Sequence, residues 1–561
     1  MKTDRVFPIT LAVALTLLLT TALWFRLSSL SAIPEHFADE SYEGLQVARM
    51  LQGQNYSLLT MNGNLMDPFF LAMQIPFQLI SKPSVGVIRS ASALSGLLAI
   101  FLAFGFGSKA FDRTTALIAA ILLAVLPASI VYGRIGHEYS QIPFFGVLAI
   151  CFAFRANVIG LILTFLASIL VHPINVFLIP IVFPVLVVQL ARKYSDNPKK
   201  QRRVLAFLAI ATTVAISSLG LYLAGRPIVQ SNVSQRGPLD WALYLKSLEY
   251  FLLYQYALYS PIPSGSLAAQ HWIFWGIGLT TLVLGTVGLV RSKQWDRLAL
   301  LVGLFASLAA FHIIGGPKRL MEHGTHRYGV IFIAPIVFSL ASLIQAMFTR
   351  QEPTAELEVP RRLVSIRIAG VVVVGFGLLL CLWSNWFSSF TKAGRESLST
   401  AWNDGKDPYE QSIAVALRDH LQNATGSGNP CVIRGHGYWV NTPIEYLASW
   451  RKSVKVEQLF PTMEEFSLPP STPVETWLAP KRQHVIEQLK QGDYLVGFVN
   501  QTDPWNRMLD TTVAASFPAD QVERTVLKNV FNGPALVLYH LKPVAATLPS
   551  LAVKPTDTIA R

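Results

Sequence analysis

Five residues near the start of the chain, Asp39-Glu40-Ser41-Tyr42-Glu43, concentrate side chains suited to acid–base work. They follow an uncharged apolar stretch, residues 7–25, long enough to cross a bilayer. A carboxylate at the mouth of such a helix can take a proton from an attacking hydroxyl or amine. A second can orient the nucleophile or help to hold a divalent cation. The same residues also read as a solvated loop that opens a helix, with Asp39 as its N-cap.

Further sites tip the balance toward chemistry. Arg134-Ile-Gly-His137-Glu138-Tyr139 lies between two later apolar runs, and residues 316–328 carry Lys318, Arg319, His323, His326, Arg327 and Tyr328. Cationic side chains neutralise phosphate, and Arg does so with bidentate geometry. An aromatic loop at 225–270 can cover a sugar face or a prenyl chain. Acid, base and phosphate binder together point to transfer of a group from a phosphate leaving group. Glu138 and His137 are also the candidate ligands of a divalent metal. Each element has an ordinary reading as well. Arg134 and Glu138 can form an ion pair at a span mouth, and the loop at 316–328 can bind lipid headgroups. The histidines can be surface residues, with His172 and His312 hydrogen-bonded structural ones near span ends.

Apolar helices must position these groups. Of 561 residues, 52% are hydrophobic and 14% charged, against about 25% charged in soluble domains. The apolar residues fall into about eleven runs, at 7–26, 86–106, 115–132, 139–155, 157–171, 174–191, 204–224, 271–290, 298–315, 328–348 and 368–388. The fold class expected is mainly α, a polytopic transmembrane helical bundle followed by an extracytoplasmic α/β domain. The formal net charge of +13 is concentrated in short alternate loops, notably Arg192 to Arg203 and Arg350 to Arg367. Such loops face the cytoplasm, which places the N-terminus inside and residues 389–561 outside. No nucleic-acid motif accompanies this charge. The first apolar run exceeds a signal-peptide core and reads as an uncleaved anchor.

Segment 68–82 is short and interrupted by Pro76. Gln74 and Gln78 share one of its faces, so it reads as an amphipathic helix at the outer interface. Two domains are expected: 1–388 in the membrane, including the outer loop 31–85, and 389–561 outside it. In the latter, Val432-Ile433, 494–499 and 535–541 read as strands, and 409–422 and 481–491 as helices. His436, in Arg-Gly-His-Gly-Tyr-Trp, reads as a site residue or, with more weight, as part of a turn. Three cysteines, Cys151, Cys381 and Cys431, form neither a disulfide framework nor a zinc pattern. Asn55, Asn232, Asn423 and Asn500 sit in glycosylation sequons, all on the expected outside.

Asp39-Glu40-x-Tyr42 followed by Ala48-x-Met50-Leu51-x-Gly53 resembles the first outer loop of GT-C superfamily glycosyltransferases. The group most similar contains protein O-mannosyltransferases and the aminoarabinose transferases that modify lipid A. The resemblance runs over roughly residues 1–350, through helix 68–82, Arg89, Glu138 and Arg327-Tyr328. It implies an inverting enzyme that takes a sugar, hexose or pentose, from a polyprenyl-phosphate donor. The acceptor would be an extracytoplasmic lipid, glycan or protein. Asp39 becomes the general base, with Glu40 and Glu138 as its acidic companions. Arg327 becomes the phosphate contact, supported by Lys318 and Arg319; His137, Arg134, Tyr42 and Tyr328 complete the substrate-binding set. Relatives often carry Lys or His before the proline that opens helix 68–82, where this chain has Asp67. The expected location is a bacterial plasma membrane, among membrane lipids. The rival reading is a transporter or lipid flippase, but the ionisable residues gather at span ends rather than near the midplane.

Overall fold

The structure is a computed structural model. It describes residues 3–28, 30–31, 38–60, 65–204, 206, 267–315, 329–348, 431–435, 445–446, 454–458, 474–491, 494–498, 504–528 and 534–542. The chain divides into two units, Met1–Gln411 and Ser412–Arg561. The expected domain boundary at 388/389 lies outside the described residues.

The first unit is helical. Its helices are α1 (Thr3–Leu27), α2 (Ala38–Leu51), α3 (Pro68–Ile80), α4 (Val85–Gly105), α5 (Gly107–Ala110), α6 (Arg113–Val125), α7 (Pro127–Tyr132), α8 (Ile142–Phe154), α9 (Val158–Val171) and α10 (Ile179–Lys193). Helices Leu267–Arg291, Trp295–Gly315 and Ile333–Phe348 follow. Among the described residues, Val85–Ala110, Pro173–Lys193 and Gly329–Phe348 are long and apolar enough to cross a membrane, and several shorter apolar helices accompany them. The run expected at 115–132 is in fact two helices. Pro127 opens α7 with no N–H to give, so the ladder stops at Leu126. Arg26, at the end of α1, compensates this break: its guanidinium donates to the carbonyls of Leu123 (2.8 Å) and Ala124 (3.4 Å) and to the Ser129 hydroxyl (3.1 Å).

The core of this unit is contiguous and built from small and branched residues. Ala119, Ala120, Leu123, Val147, Ala149, Ile150, Ile181, Phe332 and Ile333 are all buried in it. Helix α10 packs closely on Trp295–Gly315, where a side chain on Gly303 would come within 2.6 Å of the Ile181 carbonyl. Small residues allow such close backbone approach between membrane helices. At the end of α4 remote from α2, ion pairs join the helix ends: Asp112 to Arg297 at 2.6 Å and Arg192 to Asp296 at 2.9 Å.

The second unit carries a five-stranded sheet in the order β2-β1-β3-β5-β4. The strands are β1 (Cys431–Gly435), β2 (Val454–Gln458), β3 (Tyr494–Phe498), β4 (Val522–Lys528) and β5 (Pro534–Leu541). β1 runs parallel to β2 and β3, while β5 is antiparallel to β3 and β4. Helices Val474–Lys490 and Pro504–Ser516 bury Val485, Leu489, Met508, Leu509 and Val513 with Leu495, Val537 and Tyr539 of the sheet. Tyr539 also donates its hydroxyl to Asp510. His436 and the helix expected at 409–422 lie outside the described residues.

Candidate active site

The acidic pentad forms the beginning of α2. The helix starts at Ala38, so Asp39 and Glu40 stand in its first turn, where the exposed N–H groups favour negative charge, and Asp39 is not the cap. Glu40 and Glu43 are three residues apart and share a face. Both are buried, at 0% and 4% exposure, whereas Asp39 is half-buried.

Glu40 is held on every side. Arg89 of α4 donates from two guanidinium nitrogens, at 2.8 Å to each carboxylate oxygen, and from a third to the Leu30 carbonyl at 3.1 Å. The backbone N–H of Gly136 adds a bond of 2.6 Å to the same carboxylate. Only glycine fits there: a Cβ on Gly136 would lie 2.5 Å from Ile88 Cγ2 and 2.7 Å from Glu40 Oε2. Glu40 therefore joins three segments and presents no free face to a substrate. Arg134 also has a structural job. It is 2% exposed and donates to the carbonyls of Phe25 and Ser28 (2.7 Å to the latter), closing the C-terminal end of α1. Burial, then the charges of Arg89 and Arg26, lower its pKa to about 9. It points into the end of α1.

With Gly136 pinned, the next two residues face Glu43. One ligand atom from each of Glu43, His137 and Glu138 lies within 4.8 Å of the others, and all three residues are buried. His137 Nε2 is 3.5 Å from Glu43 Oε1. The His137 ring stacks on Tyr139, with centroids 4.6 Å apart. Beyond Glu138 stands His172, its Nε2 3.9 Å from Glu138 Oε1 and 3.5 Å from the Tyr139 hydroxyl.

Asp67 completes the surroundings. It caps α3 by accepting the Phe69 N–H at 2.8 Å, and burial raises its carboxyl to about 7, against the lowering effect of the Phe69 and Phe70 amides. Burial also raises Glu43 well above the usual carboxylate range, and the charges of Glu138, Asp67, Asp39 and Glu40 push it further. So many carboxylates cannot all be ionised without a compensating cation. Among the described residues, Glu43 Oε2 and Asp67 Oδ2 are buried with no hydrogen-bond partner. A divalent cation held by Glu43, His137 and Glu138 fits the crowding of acids and the unpartnered Glu43 oxygen, since imidazole and carboxylate together suit transition-metal ions such as Zn2+ and Mn2+.

Tyr42 donates to the Leu59 carbonyl at 3.1 Å and ties the loop after α2 back to that helix. Lys318, Arg319, His323, His326, Arg327 and Tyr328 lie outside the described residues, as does much of the loop at 225–270. Gln74 and Gln78 of α3 face inward: Gln78 donates to the Gly44 carbonyl at 3.0 Å and to Gln74 at 3.2 Å. Sequence reasoning left Glu43 out of the site. The helical spacing from Glu40 was the available signal, because the two must share a buried face.

No protein-family model matches the sequence, and no curated protein does. Solved structures do. The chain is similar to solved GT-C glycosyltransferases. ArnT from Cupriavidus metallidurans bound to undecaprenyl phosphate matches with a TM-score of 0.45 and 14% identity, over 93% of this chain and 97% of that one. The Archaeoglobus fulgidus oligosaccharyltransferase in its apo form matches with a TM-score of 0.48 and 13% identity, over 96% of this chain and 75% of that one. The same archaeal enzyme in complex with Zn and sulfate gives a TM-score of 0.44 and 12% identity, over 95% and 74%.

Proposed function

We propose that this chain is an integral-membrane glycosyltransferase that moves a sugar from a polyprenyl-phosphate donor to an extracytoplasmic acceptor, with inversion. The observation that carries the reading is the meeting of α2 with the loop at 134–141. There the half-buried Asp39 stands on the same helix as the buried Glu43, which faces His137 and Glu138. A half-buried carboxylate beside a buried set of ligand groups is what acceptor activation next to a phosphate needs.

Asp39 takes the proton of the acceptor hydroxyl. The acceptor oxygen forms its bond to the anomeric carbon as the bond from that carbon to the phosphate oxygen breaks. The polyprenyl phosphate leaves with the electron pair, and attack opposite the leaving group inverts the centre. Glu43, His137 and Glu138 would hold a divalent cation, which when bound supplies positive charge against the phosphate. Arg327, with Lys318 and Arg319, is assigned to the same phosphate from the sequence. The end of the bundle that carries α2 then faces outward, and a bacterial plasma membrane is the proposed location.

The test uses purified full-length protein with labelled sugars on undecaprenyl phosphate, the lipid bound in the Cupriavidus structure, and crude membrane acceptors. Transfer is expected from the wild type and is expected to vanish in Asp39→Asn while the protein stays folded. Full transfer by that variant rejects Asp39 as the base. Lipid movement without sugar transfer would favour the flippase.

A further inference from the structure

His172 joins the site from a different direction, and its two ring nitrogens have separate duties. It ends α9, its own N–H bonding the Ser168 carbonyl at 3.0 Å, and it caps the 3-10 turn Pro173–Leu178. Its Nδ1 accepts the Ile174 N–H at 3.1 Å. A ring nitrogen that accepts an amide N–H carries no proton, so in the neutral imidazole the proton sits on Nε2. That N–H faces Glu138 Oε1 and the Tyr139 oxygen, at 3.9 and 3.5 Å. The lone pair needed to ligate a metal is therefore absent from the nitrogen nearest the cluster. His172 stands outside the ligand set that includes His137.

We propose that His172 is a positioning residue: its Nε2–H, bonded to the Tyr139 oxygen at 3.5 Å and standing 3.9 Å from Glu138 Oε1, holds Tyr139 against His137 and lines up the Glu43–His137–Glu138 cluster. The inference rests on the transferase reading above for its effect on turnover, but not for its geometry. Polar neighbours that hold metal-ligating side chains in place set their orientation, and their loss commonly costs about 10–100-fold in metal affinity or activity. Tyr139 shares this arrangement, since its ring lies between His137 and His172, at 4.6 and 5.1 Å from the two rings.

The division of labour between nitrogens supplies the test. Asparagine at 172 keeps an acceptor near Nδ1 and so keeps the cap, but has nothing at Nε2. Glutamine reaches the Nε2 position with a donor and gives up the cap. In the full chain, His172→Asn is expected to unfold at nearly the wild-type temperature and to lose about 10–100-fold in kcat and in Zn2+ affinity, with donor KM unchanged. His172→Gln is expected to be less stable yet to retain both. A purely structural role predicts the opposite order. Histidine 15N spectra of the full chain, with His172→Asn identifying the signal, should show the Nε2–H tautomer. An Nδ1–H tautomer, or an Asn variant with wild-type Zn2+ affinity, overturns the proposal. If no donor supports transfer but Zn2+ affinity follows this pattern, the transferase reading fails and the role of His172 stands.

Discussion

Glu40 and Glu43 are the same residue type, one turn apart on one helix, and both buried, yet their surroundings are opposite. Glu40 has a bidentate arginine and a backbone N–H on its carboxylate. Glu43 faces a histidine at 3.5 Å, feels other carboxylates, and keeps one oxygen without a hydrogen-bond partner among the described residues. A buried charge with all its partners is architecture. A buried acid left short of partners is held there by the rest of the fold, and sites of function are where such imbalance persists. The clamp around Glu40 supplies the rigidity that keeps Glu43, His137 and Glu138 together.

The sharpest way to break this comparison is the same substitution at both positions. Glu40→Gln leaves Arg89 buried without its counter-charge, and removing one partner of a buried pair costs about 3–5 kcal/mol. A large drop in the thermal unfolding temperature of the purified protein is expected. Glu43→Gln is expected to leave that temperature unchanged or raised, because it removes a poorly compensated acid, while transfer is lost. Equal destabilisation by the two would remove the distinction between clamp and cluster.

Asp67 sharpens it through pH. Burial raises its carboxyl to about 7, well above the usual aspartate value of about 4. The folded protein thus holds a proton that the unfolded chain has released, and stability falls as pH rises from about 4 to about 7. At roughly 1.4 kcal/mol per unit the shift corresponds to about 4 kcal/mol at full extent. Asp67→Asn keeps an acceptor for the Phe69 N–H and cannot ionise. Its unfolding temperature should gain on the wild type steadily between pH 4 and 7, most clearly in chelator-treated protein. Parallel curves would mean that Asp67 is ionised throughout.

Gly136 tests the contact between the two regions. Gly136→Ala drives a methyl group into Ile88 and the Glu40 carboxylate, and such overpacking costs about 1–3 kcal/mol. Because His137 and Glu138 follow directly, transfer should fall more than stability does. Wild-type transfer with reduced stability would show that the cluster does not depend on the clamp.

How far the site could be read from sequence follows the same division. The acidic pentad, the His137-Glu138 pair and the apolar runs were visible because composition and local spacing carry them. The partners of Glu40 were not, since Arg89 is 49 and Gly136 is 96 positions away. Nothing local marks Arg134 as a cap for α1. A signal was nonetheless present: Arg26 and Arg89 each stand at the edge of an apolar run, where a charge survives burial only with partners. The break at Pro127 left a signal too, a proline within the run at 115–132, but the continuous hydrophobicity of that run reads as one helix.

Tyr42 gives the smallest expected effect and separates substrate contact from architecture. Its hydroxyl donates to the Leu59 carbonyl in a loop that bridges back through Leu59 and Leu65. Tyr42→Phe keeps the ring and removes one neutral hydrogen bond, worth about 1 kcal/mol. The loop is exposed, so water can replace part of that bond, and the unfolding temperature should move by a degree or two at most. Donor KM should stay at its wild-type value if Tyr42 only secures the loop. A rise in KM with unchanged stability would move Tyr42 from the clamp side of the comparison to the cluster side, as the substrate contact that the family resemblance implies.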